Sequence, residues 1–135
     1  MAQLELALLT PERTVYRGPV DYVQLPGATG SFGVLPRHAP LLADLGCGEL
    51  LYRVEGQRHA VAISGGLAEV SGGAVVVLAD TAEASTTIDV ARAQAALGRA
   101  QERLRAPLYT GIDTNRARRS LLRARNRLHV AAWRG

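Results

Sequence analysis

Arg116, Arg119, Arg123 and Arg127 recur at intervals of three, four and four near the end of the chain. On an α-helix those intervals carry four guanidinium groups along one flank. A solvated face is one reading of such a ladder. The other is a surface for phosphates or carboxylates, because like charges with almost no acidic partner on their own helix repel one another unless an anion lies opposite. Arg92 and Arg99, two turns apart on a preceding helix, share a face. A folded pair of helices could therefore gather arginines from both around one polyanion.

The segment Ile88-Asp89-Val90-Ala91-Arg92-Ala93 carries a second possibility. The carboxylate can accept from a base or ribose, Arg92 can hold phosphate, and the small Ala93 lets a flat ring approach. On the bare pattern, a capped helix start with an Asp/Arg pair three apart is the stronger reading. Other candidates fall away. Gly27, Gly30 and Gly33 have a GxxGxxG spacing, but Val34-Leu35-Pro36 cannot open the helix that a phosphate loop needs, so the segment reads as a turn. Ser64 lacks the glycine two positions earlier that a nucleophile elbow requires, and Ser64-Gly65-Gly66 also reads as a turn. His38, His59 and His129 show no paired spacing, so neither a metal site nor a catalytic set is expected. Cys47 is the single cysteine and is expected as a small buried or half-buried side chain. The chain has no lysine, which excludes a Walker A loop and all lysine chemistry.

The elements that must position these residues change in kind along the chain. Through Ile88 there are five arginines and nine acids, and from Asp89 eleven arginines and three acids, for formal charges of −4 and +8. The first part, 1–87, holds short alternating segments separated by Pro26-Gly27, Gly46-Cys47-Gly48, Glu55-Gly56-Gln57, Ser64-Gly65-Gly66 and Ser71-Gly72-Gly73, the pattern of an antiparallel β-sandwich or flattened barrel. With one Phe and one Trp in the whole chain, the core must be filled by Val, Leu, Ile and Ala. The second part, 88–135, switches to helical spacing: Val90, Ala93, Leu97, Ala100 and Leu104 behind an Asp89 cap, ending near Arg105 before Pro107, then Ala117, Leu121, Ala124 and Leu128 behind a cap at Asp113. Two helices joined by the loop Pro107 to Ile112 form an antiparallel hairpin. Its narrow, alanine-rich seam and Gly98 make it marginal alone, so it needs a surface to dock on. No apolar run approaches the ~20 residues that cross a bilayer and no basic leader precedes a hydrophobic stretch, so the expected location is the cytoplasm, with docking on a membrane-bound partner allowed.

The string Leu25-Pro26-Gly27 through Phe32-Gly33-Val34-Leu35-Pro36-Arg37-His38-Ala39-Pro40-Leu41-Leu42 resembles the epsilon subunit of F-type ATP synthases. Thr10-Pro11-Glu12, Ser64-Gly65-Gly66 with Glu69-Val70, Val77 to Asp80, Ile88 to Ala93 and Arg123 to Leu128 occur in the family's order. The sequence departs at Arg37, where many members carry glycine. The resemblance implies an α+β chain, a β-sandwich of about ten strands followed by a two-helix hairpin, with no catalysis of its own. It implies that the sandwich binds the gamma subunit and rests on the c-subunit ring, with Ser31 and His38 as partner contacts. It further implies ATP as a regulatory ligand, with no covalent cofactor, contacted by Ile88, Asp89, Arg92, Ala93, Arg123 and Arg127 and, by similar placement, Glu83 and Arg99.

Taken with the hairpin's charge, the resemblance implies two states. In the compact one ATP sits against the helices. In the extended one the second helix, with Arg116 and Arg119, meets acidic loops of the catalytic alpha and beta subunits and brakes hydrolysis. The implied place is peripheral, on the cytoplasmic side of the inner membrane. The rival class is a nucleic-acid-binding module tracking phosphates with the basic hairpin. It lacks a recognition motif, and only Tyr109 and Trp133 could stack on bases in the basic half. A small hydrolase fits worse, because no nucleophile pairs with a base.

Overall fold

Leu4, Leu6 and Leu8 are buried while the residues between them are more exposed, so the first strand is set by simple alternation. The computed structural model describes residues 3–105 and 114–134. Seven strands come first: β1 (Leu4–Leu9), β2 (Thr14–Val20), β3 (Tyr22–Gly27), β4 (Gly30–Val34), β5 (Leu41–Val54), β6 (Gln57–Ser71) and β7 (Ala74–Ala84). A 3-10 turn at Ser85–Thr87 then leads to helices α1 (Val90–Arg105) and α2 (Thr114–Ala131). The expected sandwich followed by a helical hairpin is thus the observed architecture. The expected loop at Pro107 to Ile112 and the cap at Asp113 lie outside the described residues.

The strands form one sheet in the order β2-β1-β7-β6-β5-β3-β4. All neighbours are antiparallel except β1 and β7, which pair in parallel with Leu9 opposite Leu78. The sheet folds over so that its two ends share a core of Leu4, Leu6, Leu8, Val23, Leu25, Leu50, Ile63 and Val75. Tyr16 of β2 and Tyr52 of β5 are not sheet neighbours, yet their rings meet at 4.6 Å between centroids, tilted by 35°. Burial pushes both phenols above their ordinary pKa.

Seven strands replace the expected ten or so because two glycine clusters bend strands without ending them. Gly46-Cys47-Gly48 lies inside the 14-residue β5, and Ser64-Gly65-Gly66 inside the 15-residue β6. Both had the composition of turns. Pairing continues on either side: Leu45 faces Gly66 and Cys47 faces Ser64, while Ser64 faces Thr81 and Gly66 faces Ala79. Across this bend the buried positions of β7 shift from Val75, Val77 and Ala79 to Ala82, so the strand crosses from one layer to the other. Gly66 is needed there. Its φ is +125°, and a Cβ would collide with the carbonyl oxygen of Leu78.

A second consequence is that β6 is buried on both faces between Ala60 and Ile63. Val61 and Ile63 point into the sandwich core. Ala60 and Ala62 point the other way and pack with Ile88 and Val130, flanked by Leu51, Ala131 and Trp133. This is where α2 docks. Asn126 adds polar stitching: its Nδ2 donates to the carbonyls of Gly48 at 2.8 Å and Ile63 at 3.3 Å, which are cross-strand partners. Between the helices the seam is made by Ala93 and Ala100 of α1 against Ala117 and Ala124 of α2, all buried. Methyl groups let the helices approach closely but bury little area, so docking rests on the few larger contacts.

Two substitutions separate these layers of stability. Gly66→Ala is expected to lower the unfolding free energy by roughly 2 to 4 kcal/mol, read as a lower urea midpoint at unchanged slope. Asn126→Ala removes two hydrogen bonds and should loosen α2 by about 1 to 2 kcal/mol. Hydrogen exchange by mass spectrometry should then show faster exchange in α2 with protection of β1 to β7 retained; equal loss in both would contradict the docking assignment.

Candidate functional site

A cleft of about 450 Å³ opens where the hairpin lies on the sheet, lined by Glu83 of β7, Arg92 and Ala96 of α1, and Ser120, Arg123 and Arg127 of α2. That volume is within the range of small-molecule sites. Four of the residues singled out from sequence, Glu83, Arg92, Arg123 and Arg127, thus come together from three separate elements. Their positions follow from the docking contacts: Asn126 and Val130 fix the rotation of α2, and with that rotation Arg123 and Arg127 face the sheet.

The four are not equivalent. Arg127 Nη2 donates to Glu83 Oε2 at 3.1 Å, while its Nε lies 2.6 Å from Oε1 with the N–H off the line to that oxygen. The result is a partly buried ion pair held by one well-formed hydrogen bond, with the two side chains 22% and 33% exposed. Arg123 Nη2 donates to Ser120 Oγ one turn earlier, at 3.2 Å. Neither Arg92 nor Arg123 is paired with a carboxylate among the described residues. These two guanidinium groups are therefore able to take an anion.

Sequence reasoning missed one wall. Thr10, Glu12, Arg13 and Asp80 also line the cleft. The parallel pairing of β1 with β7 brings the turn after β1 beside Asp80 to Ala82. There Thr10 Oγ1 accepts from the backbone N–H groups of Glu12 and Arg13, and Arg13 Nη2 donates to the carbonyl of Ala82 at 3.1 Å. With these additions the cleft carries four arginines and three carboxylates, Glu12, Asp80 and Glu83. Bulk charge therefore gives it little preference; the unpaired arginines do.

The remaining sequence candidates sit elsewhere. Ile88 is buried under Val130. Asp89 is the helix cap, its Oδ1 accepting from Arg92 N–H at 3.0 Å, and Ala93 is part of the helix seam. Arg99, Arg116 and Arg119 are exposed and do not line the cleft. The arginine ladder is therefore divided between the cleft and the outer surface. Cys47 is exposed, against the expectation of a buried or half-buried side chain, because it sits on the sheet face covered only partly by α2. Partial desolvation there raises the thiol pKa more than nearby Arg123 lowers it. Among the described residues no group of three or more metal-ligating side chains comes together.

At the far end, Ser31 is exposed on β4 and His38 is half-buried, its Nδ1 donating to the Ala39 carbonyl at 2.6 Å. The His38 N–H closes a turn on the Leu35 carbonyl at 3.1 Å, with Pro36 and Arg37 at its centre. Arg37 has φ +70°, the conformation that a type II turn demands of its third residue and that favours glycine. The geometry thus gives a physical reason for glycine at this position in similar sequences.

Residues 3–85 match the family model described as the ATP synthase delta/epsilon chain beta-sandwich domain, and residues 86–132 the one described as the ATP synthase delta/epsilon chain long alpha-helix domain. The chain is 52% identical over 102 residues, 76% of each chain, to the ATP synthase epsilon chain of Carboxydothermus hydrogenoformans. It is 48% identical over 106 residues to that of Symbiobacterium thermophilum, covering 78% of this chain and 76% of the relative. Its fold is similar to a chain in the Euglena gracilis mitochondrial ATP synthase OSCP/F1/c-ring structure, with a TM-score of 0.73 at 24% identity over 97% of this chain and 78% of that one. A chain of the Tetrahymena thermophila central stalk and c-ring is similar with a TM-score of 0.57 at 14% identity, over 95% and 92%. By the two family models spanning nearly its whole length and by these relatives, the chain belongs to the epsilon-chain family of bacterial F-type ATP synthases, a non-catalytic subunit.

Proposed function

We propose that the chain couples the gamma subunit to the c-subunit ring and that its hairpin is a regulatory element answering to ATP. The observation that carries the regulatory part is the meeting of Arg92 and Arg123, each without a carboxylate partner among the described residues, in one cleft between hairpin and sheet. A polyphosphate supplies what these two groups lack, and its binding there favours the docked hairpin because the cleft exists only while α2 lies on the sheet. Glu83 holds Arg127 in place as the third side of the site. Asp89 and Ala93 contribute by starting α1 at the right place and by letting the helices close. No metal enters this reading, and magnesium would arrive with the nucleotide.

When the hairpin leaves the sheet, its arginines, Arg116 and Arg119 among them, become available to acidic surfaces of the alpha and beta subunits, and hydrolysis is braked. The same cations cannot serve ATP and protein together, which is what makes the arrangement a switch. The sandwich keeps its own partners throughout. Leu35, Leu42, Leu67 and Leu78 are large apolar side chains left 43% to 68% exposed, and Leu67 and Leu78 face each other across strands. Together with Ser31 and His38 they form the surface offered to gamma and the c-ring. Among the described residues no helix is long and apolar enough to cross a membrane. Attachment through these partners, on the cytoplasmic side, accounts for a peripheral place.

Calorimetric titration with ATP, with and without magnesium, is expected to give a saturable heat that Arg92→Ala or Arg123→Ala weakens about tenfold or more, the loss of a charge-assisted hydrogen bond. Identical heats for the variants and the parent chain would remove the site. In the assembled synthase, deleting residues 89–135 is expected to raise ATP hydrolysis while gamma remains bound; unchanged hydrolysis would sink the brake.

A further inference from the structure

Arg92 of α1 and Arg123 of α2 both move with the hairpin, so an anion that met these two alone would be held in the docked and the undocked state alike. A ligand shifts such an equilibrium only by binding one state better than the other. The difference must therefore come from the sheet's side of the cleft. That side carries the carboxylates of Glu12, Asp80 and Glu83, of which Arg127 satisfies the last, and among the lining residues a single cation, Arg13. With Arg13 removed, the only charge the sheet offers an anion is negative, and a bound polyphosphate would favour release of the hairpin.

The chain builds Arg13 into place. Thr10 N–H donates to the Arg13 carbonyl at 2.9 Å, and Thr10 Oγ1 accepts from the N–H groups of Glu12 at 3.3 Å and of Arg13 at 3.2 Å, which closes the turn between β1 and β2. The side chain then crosses to β7, where its Nη2 donates to the carbonyl of Ala82 at 3.1 Å. That bond uses one of the five N–H donors of a guanidinium group. Among the described residues no carboxylate pairs with Arg13. A guanidinium anchored through one nitrogen keeps its other donors for phosphate. We propose that Arg13, in the cleft taken above as the nucleotide site, donates to the same polyphosphate as Arg92 and Arg123. The anion then bridges sheet and hairpin, and Arg13 is the residue that turns binding into docking.

Calorimetry of the full chain with ATP reads affinity, and hydrogen exchange in α2 with and without ATP reads docking. In the parent chain ATP is expected to slow exchange in α2. Arg13→Gln should lower the affinity about tenfold and abolish that slowing. Arg13→Lys restores the charge and should recover part of both, which a merely structural role of the turn would not produce. Heat without slowing in the parent chain, or slowing undiminished in Arg13→Gln, overturns the inference while the nucleotide site stands. A lysine variant no better than the glutamine one overturns it as well, since charge is then not the cause. Absence of heat in the parent chain removes the nucleotide site and this role of Arg13 together.

Discussion

The arrangement of the whole hairpin hangs on one turn of α2. Asn126 reaches the carbonyls of Gly48 and Ile63, Arg127 meets Glu83, and Val130 fills the hollow made by Ala60, Ala62 and Ile88. These residues are one, three and four positions apart, so a single helical face carries a hydrogen-bonded, an ionic and an apolar contact. Burying one valine is worth about 1.5 to 3 kcal/mol, and each hydrogen bond about 1. The alanine seam with α1 transmits this attachment to the first helix rather than adding much to it.

Such a contact orients side chains while resting on a few groups only. Glu83 and Arg127 satisfy each other, which keeps the docked state from carrying an uncompensated buried charge. Among the described residues Arg13, Arg92 and Arg123 have no carboxylate partner, and the carboxylates of Glu12 and Asp80 stand near them in the same cleft. A mixed cleft of this kind discriminates by position of charge more than by total charge. The +8 of the second part is thus distributed: part is neutralised on the sheet, part faces the cleft, and the rest lies outward.

Periodicity made both helices and most strands legible, because each rests on contacts within a few residues. The Asp89 cap and the alanine seam were likewise written in local spacing. Strand continuity was not. Gly46-Cys47-Gly48 and Ser64-Gly65-Gly66 have turn composition, and only the partner strands, with Leu78 crowding Gly66, show that the glycines serve a bend. The missing wall of the cleft has the same origin. Thr10 to Arg13 meet Asp80 to Ala82 through a parallel pairing of the first strand with the last, a relation between residues about seventy apart that no window can contain. Asn126 was hidden differently: it sits among arginines that draw attention by charge, while its own role needs two specific carbonyls.

The cleft takes walls from both the sheet and the hairpin, so it cannot persist when α2 leaves. An anion bound there would raise the population of the docked form that it requires. The size of that shift has a ceiling. Once the hairpin is almost always docked, a ligand has nothing left to shift. A marginal hairpin is consequently the condition for coupling as well as for release, and strengthening the seam between Ala93, Ala100, Ala117 and Ala124 would leave the docking equilibrium alone unless it also changed the face that carries Asn126, Arg127 and Val130.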